Sequence, residues 1–279
     1  MFLEALKAFF IGIVQGITEW LPVSSTGHMI LFNEFIRLDV SDGFFELFEV
    51  VIQLGSILAV VVLFFDKLNP FSPKKDKDMK KKTWSLWMKV IIAVIPAAVI
   101  GLLLDDWFNE HFYNYVVVAI ALIVYGVAFI VIERFNKNKT KKCEDVYDID
   151  CFTALKIGCF QVLSLIPGTS RSGSTIIGAS LVGVSRSAAA EFSFFLAIPV
   201  MLGASLLKCV KFVLDGATMT NIEIVVLIVG LVTAFLVSLV VIKFLMNFVR
   251  RHSFESFGWY RIVLGAVVIG YFIIKNFIF

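Results

Sequence analysis

The sequence predicts an all-α polytopic membrane protein, with six transmembrane helices and two re-entrant helix hairpins in two inverted-topology repeats. Its 279 residues are 59% hydrophobic and only 17% charged, whereas about a quarter of the residues in a soluble domain are charged. Six apolar segments are long enough to cross a hydrocarbon core of about 30 Å. Two further apolar segments are interrupted by proline, hydroxyl residues and glycine, which indicates hairpins rather than simple spans.

The predicted spans are, in chain order, Phe44 to Phe65, Val90 to Leu104, Val116 to Ile132, Ala190 to Val210, Ile222 to Met246 and Trp259 to Phe279. The second is short and can extend back to Trp84. Basic residues orient the spans, because cytoplasmic loops carry an excess of Lys and Arg. The segments Lys74 to Lys82 and Arg134 to Lys142 are basic, and the turn Asp105 to His111 between their spans is acidic. Both basic segments are therefore expected in the cytoplasm.

The two interrupted segments are Phe2 to Ile36 and Phe152 to Val184. If each enters and leaves on one face, all the basic loops stay on the cytoplasmic side. Each half then has one hairpin and three spans, and because three is odd the halves have inverted topology. This predicts a single membrane domain over residues 1–279, with repeats over about 1–135 and 151–279, a cytoplasmic linker over about 136–150, and both termini outside.

A sequence echo supports the duplication. Gly12-Ile-Val-Gln15 leads to Pro22-Val-Ser-Ser-Thr-Gly27, while Gly158-Cys-Phe-Gln161 leads to Pro167-Gly-Thr-Ser-Arg-Ser-Gly173. The stretch from proline to glycine is one residue longer in the second copy.

Charge and cysteine content argue against a nucleic-acid-binding protein and against a cysteine metal site. The net charge is only +3 and the basic residues lie in loops, so we expect no nucleic-acid partner. The four cysteines show no metal-ligand spacing, which predicts free thiols. Glu4 and Lys7 interrupt the first apolar stretch, which argues against a cleavable signal.

The first hairpin carries a carboxylate and hydroxyl residues. Gln15 and Glu19 are four residues apart and so share a helix face. Pro22 ends that helix, and the hydroxyl residues after it can cap a second helix, with His28 just inside it. These hydroxyl residues are Ser24, Ser25 and Thr26.

The second hairpin repeats the arrangement and adds a guanidinium. Arg171 follows Pro167 within a run of hydroxyl residues and glycines, which includes Ser170, Ser172 and Thr175. A helix N-terminus with small residues and an arginine binds phosphate through amide donors, the helix dipole and bidentate guanidinium contacts. If both hairpin tips meet, one phosphate faces two helix starts.

A purely structural interpretation competes with this one. Hydroxyl residues and glycines in membrane helices often serve only close packing, and Arg171 with Glu19 can form an ion pair without any substrate. However, Glu19, His28 and Arg171 each cost at least about 2.5 kcal/mol to insert in a membrane, and such residues usually have a function. The ion pair alone also leaves the hydroxyl residues unexplained.

Phosphate hydrolysis assigns a role to each group. Arg171, with Ser170, Ser172 and Thr175, would hold the terminal phosphate. Either Ser25 or a water would attack, and either His28 or Glu19 would move the proton. A divalent cation, Mg²⁺ or Ca²⁺, could bridge Glu19, with Gln15, to the diphosphate.

Two motifs resemble a known family. Gln15-Gly-Ile-Thr-Glu-Trp-Leu-Pro-Val-Ser-Ser-Thr-Gly-His28 and Pro167-Gly-Thr-Ser-Arg-Ser-Gly-Ser-Thr175 are similar to the signature motifs of the undecaprenyl-diphosphatase (bacitracin-resistance) family. The first motif position, Glu or Gln in the family, is Gln15 here. The resemblance extends over essentially the whole chain.

The resemblance implies a bacterial plasma-membrane phosphatase that converts undecaprenyl diphosphate to the monophosphate, which recycles the cell-wall carrier lipid and confers bacitracin tolerance. By motif position it assigns catalysis to Glu19, Ser25, His28 and Arg171, with Gln15, Ser24, Thr26, Ser170, Ser172 and Thr175 nearby. It also implies dependence on a divalent metal, a homodimer, and an active site reached from the outer side.

Two other classes remain as alternatives. Secondary transporters are also built from inverted repeats with broken helices, so the chain could flip its lipid with or without hydrolysis. A transporter needs the anion site but no Ser25 and His28 pair poised for proton transfer. A lipid-binding or bacitracin-binding scaffold would release no phosphate at all.

Overall fold

The computed structural model describes residues 1–112, 114–137 and 139–278, and regular structure in them is helical except for one isolated bridge between Cys143 and Val184. The α-helices are α1 (Phe2–Thr18), α2 (Ser25–Phe35), α3 (Asp42–Leu63), α4 (Phe65–Leu68), α5 (Lys77–Phe112), α6 (Tyr115–Asn136), α7 (Cys151–Val162), α8 (Arg171–Leu181), α9 (Arg186–Leu214), α10 (Asn221–Arg251) and α11 (Glu255–Ile278). Short 3₁₀ helices cover Val146–Asp148 and Leu163–Leu165.

Six of these helices are long and apolar enough to cross a membrane, which agrees with a polytopic membrane protein. They are α3, α5, α6, α9, α10 and α11, and each overlaps one predicted span. Large apolar side chains such as Leu102, Val213 and Leu214 are exposed on the outer surface, while Glu19 and Arg261 are buried inside. This distribution suits a lipid environment, in which ionisable groups face the protein interior.

The second candidate membrane span ends at Leu104, as predicted, but it starts at Lys77, before the predicted start. Helix α5 begins at Lys77, so most of the lysine-rich segment forms its first turns rather than a loop. It also continues to Phe112, so the predicted turn Asp105 to His111 has a helical backbone. Hydropathy detects only the part of a helix that hydrocarbon covers, and lysine and leucine are good helix formers in water as well.

The helix pairs α1–α2 and α7–α8 each turn back on themselves. The Glu4 carboxylate near the start of α1 accepts the backbone N–H of Asp39, just beyond α2, at 2.9 Å, and Lys7 Nζ donates to the Arg37 carbonyl at 2.8 Å. In the second pair, the segment after α8 lies beside the one that leads into α7, since the Lys142 N–H donates to the Gly183 carbonyl at 2.9 Å. Both pairs are therefore hairpins whose open ends are closed by hydrogen bonds.

The first helix of each hairpin packs against a long helix of the other half of the chain. Helix α1 lies on α10, and α7 lies on α5. Glycines allow the close approach, because a Cβ at Gly12 would overlap the Gly230 carbonyl and a Cβ at Gly158 would overlap the backbone of Ala93. Helices α3 and α9 pack together, as do α6 and α11, so the two halves interlock. This interlocking brings the closed ends of both hairpins to the centre of the molecule.

Candidate active site

The closed ends of the hairpins, residues 19–24 (the first tip) and 163–170 (the second tip), end in the same strained conformation. Ser24 has φ 73° and Ser170 has φ 72°, and they are the two non-glycine residues with positive φ in the described part of the chain. Such a conformation costs about 1–3 kcal/mol per residue and persists only where the surroundings enforce it. Each serine caps the next helix, accepting the N–H of Gly27 at 3.3 Å or of Gly173 at 3.2 Å.

This shared geometry aligns the two copies residue by residue. Because Ser24 and Ser170 are both the N-cap, Ser25 and Arg171 are both the first residue of the following helix. Each helix start has backbone N–H groups without intrahelical acceptors and the positive end of the helix dipole. The two helices therefore begin with a hydroxyl in the first hairpin and a guanidinium in the second.

Both helix starts border one cavity of about 200 Å³. Predicted site residues from both hairpins lie around it, namely Glu19, Ser25, Thr26, Ser170 and Arg171. It is completed by Gln53, Ser164, Ile166, Gly168, Val200, Met201 and Ala204. Residues from stretches more than a hundred positions apart thus converge on a space large enough for a phosphate group.

Arg171 is held from two directions. One terminal nitrogen donates to Glu19 Oε1 at 3.1 Å, and the other donates to the Ser193 carbonyl at 2.7 Å. Its Nε has no hydrogen-bond partner among the described residues. The guanidinium is therefore fixed in orientation and still has an unused donor.

The Glu19 carboxylate is shared between two donors. Its Oε2 accepts the Gln15 side-chain amide at 3.0 Å, while its Oε1 accepts Arg171. Glu19 is 6% exposed, so its contacts lie within the protein rather than in bulk solvent. The ion pair that competes with a substrate role is therefore present, and it lies at the cavity wall.

Three of the predicted substrate-binding hydroxyls face the protein instead of the cavity. Ser24 Oγ is the cap of α2, and Ser172 Oγ donates to the Glu19 carbonyl at 3.3 Å. Thr175 Oγ1 donates to the Arg171 carbonyl at 3.0 Å and lies 2.7 Å from Ser193 Oγ. These groups hold the cavity-facing residues in place.

His28 lies one turn away from the cavity lining. Its Nδ1 is 2.7 Å from the Ser24 carbonyl, which only accepts, so Nδ1 carries a proton. Its Nε2 is 2.7 Å from the Tyr260 hydroxyl, and the two rings are stacked. Both ring nitrogens are engaged, and the predicted proton-transfer role of His28 stays a prediction.

A larger cavity of about 850 Å³ adjoins the first, because Ser25, Thr26 and Gln53 line both. Its apolar lining consists of Met29, Ile30, Phe45 and Val50, and its polar lining includes Gln15, Asn33, Glu46, Glu49 and Lys208. Lys208 and Glu46 form an ion pair at 2.6 Å. The two cavities thus share one wall, and the larger of them has both apolar and polar lining.

The predicted metal ligands, Glu19 and Gln15, offer oxygen atoms, which a hard cation shared with a substrate would take. Within the described residues, no cluster of three or more His, Cys, Asp or Glu side chains is arranged to hold a metal. Mg²⁺ commonly uses one or two carboxylates and completes its shell with substrate phosphates and water. Of the two predicted metal ligands, Glu19 lines the small cavity, and Gln15 contacts it through the bond from its side-chain amide to Glu19 Oε2.

Sequence reasoning missed several residues that the structure places at the site. Gln53 and Ser164 line the small cavity. Gln53 lies in the segment Glu49 to Gly55, which also resembles the family, whereas nothing in the sequence context of Ser164 distinguishes it from a packing residue. Arg261 contacts both tips, and its position in the sequence could have identified it. It is an arginine within the apolar segment Trp259 to Phe279, the criterion that singled out Arg171.

Comparison with known proteins agrees with the motifs. The family model described as "Bacitracin resistance protein BacA" matches residues 8–267. The chain is 58% identical over 273 residues to the "Undecaprenyl-diphosphatase" of Enterococcus faecalis, covering 98% of this chain and 99% of that protein. It is 56% identical over 270 residues to that of Lactiplantibacillus plantarum, covering 97% and 98%. The protein of the same name from Acetivibrio thermocellus is 56% identical over 271 residues, with 97% and 98% coverage.

Proposed function

The chain belongs to the bacitracin resistance protein BacA family, and from this membership we infer that it is an integral membrane phosphatase. It hydrolyses undecaprenyl diphosphate to undecaprenyl phosphate and inorganic phosphate, recycles the cell-wall carrier lipid and confers bacitracin tolerance. The observation that carries the proposal is the single cavity onto which Arg171 and two helix N-termini converge.

The terminal phosphate would bind in the small cavity. Arg171 supplies charge and hydrogen-bond donors, and the starts of α2 and α8 supply backbone N–H groups and positive dipole ends. The phosphate would draw the Arg171 guanidinium from Glu19, since both anions compete for the same donors. Binding therefore frees the Glu19 carboxylate at the moment a proton acceptor is needed.

Ser25 is our proposed nucleophile. It lines both cavities, and no hydrogen bond to another described residue occupies its hydroxyl. Its Oγ would attack the terminal phosphorus as the bond to the bridging oxygen breaks, Glu19 would take the hydroxyl proton, and undecaprenyl phosphate would leave. Water would then hydrolyse the phosphoserine to restore Ser25 and release inorganic phosphate. His28, through the Ser24 carbonyl, would hold the start of α2.

The apolar part of the larger cavity would hold the first isoprene units. It lies near the first turns of α3 and the last turns of α9, where Glu46 and Lys208 pair. At the other end, Glu191 near the start of α9 pairs at 2.6 Å with Lys67 of α4, the short helix that follows α3. With the lysine-rich start of α5 in the cytoplasm, this cavity opens toward the outer side.

Phosphate release by purified protein tests the function. In detergent with a long-chain isoprenyl diphosphate, we expect inorganic phosphate to accumulate with Mg²⁺ or Ca²⁺ and to fall by at least about 10-fold after chelation, because the cation would neutralise diphosphate charge beside Glu19 and Gln15. Binding of the lipid without phosphate release, at any metal concentration, would contradict the proposal and favour a lipid transporter.

We further propose two inverted repeats with re-entrant hairpins, both termini outside the cytoplasm, and assembly as a homodimer. The matched capping serines and the reciprocal packing of α1 on α10 and α7 on α5 support the repeats. The contacts of Glu4 and Lys7 with the segment after α2 place the N-terminus beside the start of α3. The family resemblance alone supports the homodimer.

Cysteine labelling in intact cells checks the orientation. With the four native cysteines replaced by alanine, Thr218→Cys in the α9–α10 connection should react with a membrane-impermeant maleimide, while Lys77→Cys at the start of α5 should react only after permeabilisation. Both positions are exposed, so reactivity reports the side of the membrane. The reverse pattern would invert the proposed topology.

A further inference from the structure

Arg261 of α11 joins the two hairpin tips. One terminal nitrogen donates to the Pro22 carbonyl of the first tip at 3.2 Å. The other donates to the Gly168 and Thr169 carbonyls of the second tip at 2.8 Å and 3.0 Å. Arg261 is 0% exposed, the Tyr125 ring lies 5.6 Å from its guanidinium carbon, and its Nε has no hydrogen-bond partner among the described residues.

The three acceptor carbonyls belong to residues that lie one or two positions before the strained serines. Pro22 lies two residues before Ser24, and Gly168 and Thr169 come directly before Ser170. A positive φ at a serine persists only where neighbouring groups enforce it. Arg261 fixes the peptide groups on the N-terminal side of both serines, and the Gly27 and Gly173 amides fix the serine side chains.

The charge of Arg261 is not neutralised by a carboxylate. Seven ion pairs connect described residues, and none of them includes Arg261. A buried cation held only by carbonyl dipoles and a ring is costly for the fold. A group retained at that cost in a membrane segment is expected to serve the function.

We propose that Arg261 is a positioning residue for phosphate hydrolysis, which clamps both tips so that Ser25 and Arg171 face one cavity. This inference rests on the proposed phosphatase function. Arg261 lines neither cavity, so it acts through the backbone of the tips rather than on the substrate. The planar guanidinium is essential, because its fixed set of donors spans carbonyls of two tips and a lysine ammonium is a point donor.

The test compares Arg261→Lys with the wild type, whose activity establishes the function independently. A small displacement of catalytic groups lowers the rate steeply, so we expect kcat to fall by about 30- to 100-fold while KM stays within about 3-fold. Hydrogen exchange should rise over residues 21–27 and 167–173, which are the end of each tip and the first residues of the helix after it, and stay unchanged in α3 and α9. A residue that only stabilises the fold would raise exchange throughout and leave kcat per folded molecule unchanged.

Arg134→Gln is the matched control. Arg134, in the last turn of α6, also contacts α11, through Glu255. Its side chain is 64% exposed, and it lines neither cavity. It should retain wild-type kcat. If Arg261→Lys does not fold, Tyr125→Leu removes the ring beside the guanidinium, and the same loss of kcat is expected. Wild-type kcat in folded Arg261→Lys, or in Tyr125→Leu if that variant is needed, or an effect on KM alone, would overturn the proposal.

Discussion

Replacing Arg171 by alanine is expected to lower phosphate release by at least about 1000-fold. Removal of one preorganised donor from a transition-state site already costs about 100- to 1000-fold, and Arg171 supplies a full charge as well as several donors. Its loss also leaves Glu19 as a buried carboxylate next to the anionic substrate, since the guanidinium is its ion-pair partner at 3.1 Å. Initial rates of phosphate release at saturating lipid, per folded protein, measure the effect.

Two further variants separate charge from geometry. Arg171→Lys keeps a point charge but loses the planar donor set, so we expect an intermediate loss of about 10- to 100-fold. Arg186→Ala is the control, because Arg186 is likewise the first residue of a helix and pairs with a glutamate, Glu133, at 2.6 Å, yet lines neither cavity. Activity of Arg171→Ala close to that of Arg186→Ala would refute the phosphate clamp.

Hydropathy and charge were sufficient to predict the spans, because a hydrocarbon environment imposes a length and a composition on each crossing helix. They could not predict where helices end in water. Helix α5 runs on to Phe112, well past its apolar stretch, since nothing in that segment breaks a helix. Proline and hydroxyl residues, by contrast, marked the breaks between α1 and α2 and between α7 and α8, because both groups act on the local backbone.

The sequence predicted that residues of the two motifs would meet, as Glu19, Ser25 and Arg171 do around one cavity, but it did not predict the direction of each side chain. Ser172 and Thr175 share the motif with Arg171 yet donate to backbone carbonyls, and His28 pairs with Tyr260 from a distant helix. Rotation of a short helix about its axis depends on tertiary packing, which a motif does not encode. The positive φ of Ser24 and Ser170 is equally invisible in sequence, because serine rarely adopts it.

That shared conformation explains the extra residue in the second copy of the echo. Counting from the capping serine, Ser25 matches Arg171 and Gly27 matches Gly173 with no gap. The additional residue therefore falls between Pro167 and Ser170, before the cap. The two matching helix starts carry Ser25 and Arg171, which line the same cavity.

Ser25→Ala is expected to lower phosphate release by about 1000-fold or more if Ser25 is the nucleophile. Alanine is the best helix former, and the N-cap Ser24 is unchanged, so the variant should fold normally. Rapid acid quench of wild type with substrate labelled in the terminal phosphate should trap label on Ser25, and Ser25→Ala should trap none. The label is identified by peptide mapping.

Ser238→Ala is the control for that experiment. Ser238 is a fully buried hydroxyl of α10 that lies 3.4 Å from the Gly16 carbonyl and lines neither cavity, so its removal should leave turnover and labelling unchanged. If Ser25→Ala keeps more than about a tenth of wild-type turnover and no phosphoenzyme forms in either protein, water is the attacking group. Arg171 and the helix starts would then hold the phosphate while Glu19 activates that water, because the same carboxylate lines the cavity in either case.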